Sequence, residues 1–247
     1  FGLRPKWVRQ LADEVEKLDA AIPFKMQSRV DLMTPDTVQA LRRAGCAEVW
    51  MGAESGSQKI LNAMDKGTRV DQIARARANL KRAGIRACYF LQFGYPGETW
   101  KDIQSTIKLV RDTRPDDIGV SVSYPLPGTK FFDRVQAQLG AKTNWSDSED
   151  LDIMFQGAYT NEFYRALHDA LHAEVDCWNS SSTIGIQKER DDRHEPGALW
   201  RRMMHLEQTC RNPRPTLFTG RAPESLVQLQ AQTYATSFDE LLNVLAS

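Results

Sequence analysis

Three short stretches bring together residue types suited to binding a polar ligand. The first is Gly52-Ala53-Glu54-Ser55-Gly56, which ends an apolar run and opens a helical pattern. A carboxylate and a hydroxyl at that point can accept from ribose hydroxyls or an ammonium. Backbone N–H groups at a helix start can meet a carboxylate. The competing reading is that Ser55 simply caps the helix. The second is Phe93-Gly94-Tyr95-Pro96-Gly97-Glu98-Thr99. Its glycines let backbone come close to a ligand and its proline fixes the path, although an ordinary strand-to-helix turn needs the same residues. The third, Pro125-Leu126-Pro127-Gly128-Thr129, has the same duality.

Other candidates are weaker. Arg29 could hold a carboxylate through two parallel hydrogen bonds, or could pair with Asp31 on the surface at little gain. His168 and His172 share a helix face four residues apart, but two ligands make a poor metal site. A solvated or packed helix face is the expected role, and no metal ligands are assigned. Cys46, Cys88, Cys177 and Cys210 are all more than four residues apart, which excludes Cys-x-x-Cys and zinc-ribbon patterns. They read as plain thiols, and so few in 247 residues point to a reducing, cytoplasmic setting.

The elements that must position these residues alternate. Helical periodicity at 5–22 is followed by a strand at 24–30 and a helix opened by Thr34-Pro35. Strand 47–52, helices near 57–66 and 71–83, strand 86–93, helix 98–113 and strand 118–124 follow. Such alternation predicts parallel strands joined by helical crossovers. The strands read as almost continuous apolar runs, the pattern of a sheet covered on both faces, with the glycine turns at one end. Residues 151–178 carry a helical stripe of Phe155, Tyr159, Phe163, Leu167 and Leu171. The polar stretch 179–197 reads as a linker, and 198–247 as helical segments. Lys+Arg and Asp+Glu number 32 each, which gives no basic face for nucleic acid. No apolar run reaches the roughly 18–20 residues of a transmembrane helix.

Taken together, Arg29-Val30-Asp31, Arg43-Ala44-Gly45-Cys46, Gly52-Ala53-Glu54-Ser55-Gly56-Ser57 with Ile60-Leu61, Lys66-Gly67, Ala83-Gly84-Ile85, Gly94-Tyr95-Pro96-Gly97-Glu98-Thr99 and Pro127-Gly128-Thr129 resemble radical S-adenosylmethionine (SAM) enzymes of the cobalamin-dependent group. The resemblance covers residues 1–132 and implies an α/β fold: strands three to six of a partial (β/α) barrel, followed by a C-terminal helical extension at 133–178. It implies that Glu54 and Ser55 contact the ribose or amino-acid part of SAM. It likewise places Gln92, Gly94 and Gly97 near the adenine, Ser123, Tyr124 and Pro125 on the sixth strand, and Arg29 at the third. Trp145-Ser146-Asp147, Asp150 to Gly157 and Glu162 to Arg165 resemble the anaerobic magnesium-protoporphyrin IX monomethyl ester cyclase subgroup.

This resemblance implies SAM, a [4Fe–4S] cluster and cobalamin as cofactors of the intact enzyme, and a small-molecule substrate, with a tetrapyrrole the leading choice. A cobalamin-dependent methyltransferase is one alternative, and a cluster-free partner subunit another. A third is an unrelated barrel enzyme using Glu54 and Glu98 as acid and base. The family's Cys-x-x-x-Cys-x-x-Cys loop does not occur in these residues. The chain, which starts at Phe1, is therefore expected to be a C-terminal portion, unable to hold the cluster alone. Its first strand should expose an open edge that invites self-association or pairing with the missing portion.

Overall fold

A computed structural model describes residues 4–139, 151–180 and 195–216. The sequence motifs at 145–147 and 150, most of the expected linker and the terminal segment beyond 216 lie outside the described residues. Four strands, β1 (Phe24–Ser28), β2 (Cys46–Glu54), β3 (Arg86–Phe93) and β4 (Asp117–Val122), form one sheet in chain order. Every neighbouring pair is parallel. The turns at 55–57, 94–99 and 123–129 therefore leave the sheet at the same end, as the alternation predicts.

The crossovers are helical: α1 (Pro5–Lys17) before β1, α2 (Pro35–Arg43), α3 (Gln58–Ala63) with α4 (Val70–Arg82), and α5 (Trp100–Thr113). Their ends carry the expected chemistry. Thr34 caps α2 by accepting from the Thr37 N–H, with Pro35 in the first turn. Gly45 and Gly84 follow helices with φ of 94° and 68°, where a side chain would be strained. α2 packs on β2 and α4 on β3.

The sheet's two faces differ, which corrects the expectation of cover on both. Val49, Met51 and Ala53 of β2 and Ala87, Tyr89, Leu91 and Phe93 of β3 are buried. Alternating with them, Trp50, Gly52, Glu54 and Gln92 are half-buried, and Arg86 and Phe90 are exposed. Cys88 and Glu48, on the same side as these, are buried, so among the described residues the period of two separates a helix-covered face from an inner one that is open only from Trp50 and Phe90 toward the strand ends. Continuous apolar composition hid it because the inner residues Trp50, Gly52, Cys88 and Phe90 are themselves uncharged.

After β4 come α6 (Lys130–Val135), α7 (Asn161–Ser180) and α8 (Pro196–Thr209). α7 packs on α8 and on β4. It starts at Asn161 rather than 151 because the preceding segment is bonded elsewhere. Ala158 O accepts from the Asn212 N–H at 2.9 Å, Gln156 O accepts from the Thr216 N–H at 2.7 Å, and the Thr160 N–H donates to Cys210 O at 3.1 Å. Those carbonyls and amides are not free to build helical turns. Among the described residues, no helix is long and apolar enough to cross a membrane.

β1 pairs only with β2 among the described residues. Beside its outer edge lies a recess of about 610 Å³ lined by Leu11, Val15, Ile22, Phe24 and Met26. It is not the strand-end region where the candidate ligand-binding residues gather.

Candidate functional site at the strand ends

Glu54 ends β2 at an irregularity: the pairing with β3 slips between Gly52 and Glu54. Its φ is 59°, left-handed for a residue with a side chain, at a cost of about 1 kcal/mol. The slip turns the carboxylate back over the strand, so that a Cβ at Gly52 would lie 2.9 Å from Glu54 Oε1. Lys66 Nζ donates to the same oxygen at 2.9 Å. The carboxylate is 16% exposed and its cation 42%. A strained, partly open acceptor with one cation beside it can receive hydroxyl or ammonium donors.

Ser55 is placed differently. It is fully buried, its hydroxyl shares a hydrogen bond with Thr106 of α5 at 3.1 Å and accepts from the Ser57 N–H at 3.1 Å. A side chain at Gly56 would collide with the Ser105 carbonyl, so this glycine lets α5 approach. Of the pair expected to meet a ligand, Glu54 offers its side chain and Ser55 binds the helix layer.

A hub not seen in the sequence joins two of the turns. Asp102 of α5 accepts from Ser57 Oγ at 2.7 Å, Lys59 Nζ at 2.6 Å, and the Thr99 N–H and Oγ at 2.9 and 2.6 Å. Burial pushes its carboxyl up, but the hydrogen bonds from Lys59, Ser57 and Thr99 outweigh that and hold it at about 2. Lys59 Nζ also donates to Gly97 O at 3.0 Å. The sequence singles out Lys66 only as part of the Lys66-Gly67 motif, and Lys59 not at all; the fold brings both to the rim.

The turn at 94–98 closes on itself. The Gly94 N–H donates to Glu98 Oε2 at 2.6 Å. Burial pushes Glu98 up to about 8, against that hydrogen bond, so it carries its proton at neutral pH. Its other oxygen is buried without a partner, as is the Tyr164 hydroxyl of α7. Gly94 has φ 78°, and a Cβ there would run into Ile153 and lie 3.3 Å from Tyr164. The missing side chain at Gly94 thus admits Ile153 rather than leaving space for a ligand. At Gly97, φ is 86° and the space around a Cβ is open. With Glu98 enclosed, the Glu54–Glu98 acid–base reading loses one of its partners.

Gln92 pairs with Ser121 across β3 and β4, and both are half-buried. Ser123 is buried; its N–H donates to Phe93 O at 2.7 Å and its hydroxyl has no partner. Tyr124 is half-buried and Pro125 buried. Arg29 lies beyond β1 and donates to Asp31 at 2.9 and 3.2 Å, the surface pair anticipated as the simpler role. The structure thus gathers Glu54, Gln92, Gly97 and Ser123 at one end of the sheet, with Lys66 as an addition.

The aromatic stripe of α7 is core. Phe155, Tyr159, Phe163 and Tyr164 are all buried. Tyr159 stacks on Phe163 at 4.0 Å, and Trp100 of α5 meets Phe163 edge-on at 6.4 Å. His168 and His172 lie with ring centroids 4.3 Å apart. Burial and then His168 lower His172. No group of three or more His, Cys, Asp or Glu among the described residues could hold a metal ion. Burial pushes the Cys46 thiol up to about 11 and the Cys88 thiol to about 12. Both are neutral thiols within strands, whereas cluster ligands are converging thiolates. The residues present do not fit an iron–sulfur cluster.

Residues 3–110 match the model of the Radical SAM superfamily. An uncharacterized methyltransferase of Pyrococcus horikoshii is 27% identical over 66% of this chain and 36% of its own length. The anaerobic magnesium-protoporphyrin IX monomethyl ester cyclase of Rubrivivax gelatinosus is 29% identical over 61% of this chain and 27% of its own. Among solved structures, the radical SAM methyltransferase TsrM from Kitasatospora setae, with cobalamin and a [4Fe–4S] cluster bound, aligns at 18% identity and a TM-score of 0.48. That alignment covers 57% of this chain and 29% of TsrM. The chain thus spans about a third of the length of the first of these relatives.

Proposed function

We propose, from the match of residues 3–110 to the Radical SAM superfamily, that this chain is the part of a radical SAM enzyme that holds one side of SAM and of the substrate. Reductive cleavage of bound SAM supplies a 5′-deoxyadenosyl radical to such enzymes. In this reading Glu54 accepts hydrogen bonds from the ribose or amino group of SAM. Lys66 Nζ, 2.9 Å from Glu54 Oε1, fixes the direction of the carboxylate. Gln92 and the open backbone at Gly97 offer polar contacts to the base, and Ser123 has a hydroxyl to give. Arg29, Tyr124 and Pro125 frame the rim. The cluster and cobalamin are assigned to parts of the intact protein other than these residues. The observation that carries the reading is Glu54, held in a strained backbone at the strand end with its carboxylate toward the inner face.

The proposed division is barrel at 1–132, helical extension at 133–178, linker at 179–197 and a helical segment at 198–247. The open edge of β1 is the proposed junction with the rest of a barrel, and the location is the cytoplasm. The proposed reaction is oxidative cyclisation of a magnesium-porphyrin ester. Methyl transfer is the second reading, supported by the relative from Pyrococcus horikoshii. The test takes the product of the whole reading frame, anaerobic, with reductant, SAM and cobalamin. 5′-Deoxyadenosine is measured with and without magnesium-protoporphyrin monomethyl ester. Porphyrin-stimulated release is expected. Release that the porphyrin leaves unchanged, with methyl transfer to another acceptor, would replace cyclisation by the second reading.

A further inference from the structure

Phe90 lies in the middle of β3 with a glycine on either side. Its partners in register are Gly52 of β2 and Gly119 of β4. It is 36% exposed, whereas its chain neighbours Tyr89 and Leu91, on the helix-covered face, are 0 and 1% exposed. The Trp50 ring lies 4.9 Å away, tilted by 30°. A Cβ at Gly119 would lie 3.3 Å from the Phe90 ring and 3.4 Å from the Trp50 ring. Both rings therefore lean across Gly119 and form a shelf with their free faces toward the inner side. Over Gly52 lies the Glu54 carboxylate.

A glycine inside a strand weakens it and packs nothing, and often marks where a ligand comes close. Here two glycines flank one exposed aromatic at the same level. The levels on either side limit what could fit. Toward the strand starts, Lys25 and Arg86 bond Glu48 at 2.9 and 2.8 Å, and Trp50 Nε1 donates to Glu48 at 3.0 Å. That row is paired within itself. Toward the strand ends stand Gln92 and Ser121, which are neutral. Between these rows the surface is flat, aromatic and uncharged, with a carboxylate at one corner.

We propose that the slot at Gly52, Phe90 and Gly119, edged by Trp50, binds the flat conjugated ring of the substrate by stacking. The inference rests on the function proposed above and adds the residues that select its substrate. Aromatic faces favour offset stacking on other π systems, and the absent side chain at Gly119 lets the Phe90 and Trp50 rings lie down across β4 as one shelf. The pair also replaces the α7 aromatics, whose rings are buried, as the surface a planar molecule could reach.

Zinc protoporphyrin IX titrated into the protein, followed by its Soret band, tests this. Gly119→Val sets a branched side chain against the Phe90 and Trp50 rings, which must shift out of the shelf, and Phe90→Leu removes one ring. Porphyrin binding is expected to weaken at least tenfold in the first and several-fold in the second, with circular dichroism unchanged. Ile22→Ser, in the recess beside β1, should bind as the wild type does. No wild-type binding, full binding by both slot variants, or loss of binding in Ile22→Ser would each overturn the proposal. Loss of S-adenosylhomocysteine binding in Gly119→Val, with porphyrin binding intact, would assign the slot to SAM and overturn it as well. The class assignment is read separately in the product of the whole reading frame. A wild type that releases no 5′-deoxyadenosine counts against the class. A Gly119→Val variant that processes porphyrin normally counts only against the slot.

Discussion

The two faces of the sheet are built from alternate residues of the same strands yet solve opposite problems. On the covered face, Val49, Met51, Ala53, Ala87 and Tyr89 are completely buried. Helices remove their apolar surface from water, and stability resides there. On the inner face, Glu54, Gly52, Trp50 and Phe90 keep partial exposure, backbone strain and missing side chains. These features weaken a sheet but suit a ligand. The difference teaches that stability and recognition are separable here by a single residue step along β2 or β3.

The largest expected effect lies where a polar group from the strand-end turn is carried into the enclosed side. Glu98 is pushed from 4.5 up to about 8 by burial. Its folded pKa lies above the unfolded one, so its contribution is complete below about pH 4.5 and is lost as pH rises through 8. Over that window the wild type should lose about 4 kcal/mol from this group. Glu98→Gln, which keeps an acceptor for the Gly94 N–H, should flatten the pH dependence and be the more stable protein at pH 8. Urea unfolding at pH 5 and pH 8 measures both. Equal slopes in the two proteins would mean that Glu98 is solvated and the rim is not closed.

Next comes the direct contrast between the faces. Met51→Ala, at a fully buried site, should cost about 3 kcal/mol through lost burial and a cavity. Phe90→Ala, on the open face, should cost less than about 1.5 kcal/mol, because much of its ring already meets water. Similar losses in the two variants would erase the distinction. The smallest effect is expected at Glu54→Gly. Relief of its left-handed strain should offset the lost Lys66 ion pair, leaving stability within about 1 kcal/mol of wild type.

Much of the covered half was legible in the sequence. Thr34-Pro35, Gly45 and Gly84 marked helix ends, and the strands stood out as apolar runs between them. The inner face was not legible, because Trp50 and Phe90 look like core residues in an apolar run and only pairing with Gly52 and Gly119 exposes their role. The aromatics of α7 misled in the other direction. Their spacing fits a helix face, but contacts with Trp100 and α8 decide that they are buried. Ser55 and Gly94 looked ligand-facing because their motifs sit at strand ends. Their partners Thr106 and Ile153 are 51 and 59 residues away in sequence. Asp102 went unnoticed because two of its four donors, Ser57 Oγ and Lys59 Nζ, are 45 and 43 residues away in sequence.

One measurement tests the central claim, that the inner face at the strand ends holds SAM. The product of the whole reading frame is reduced anaerobically, and 5′-deoxyadenosine release is compared in wild type, Glu54→Ala and Met51→Val. Release should fall at least tenfold in Glu54→Ala, with a raised half-saturating SAM concentration, and stay near wild type in Met51→Val on the opposite face. Undiminished release from Glu54→Ala at low SAM would contradict the account.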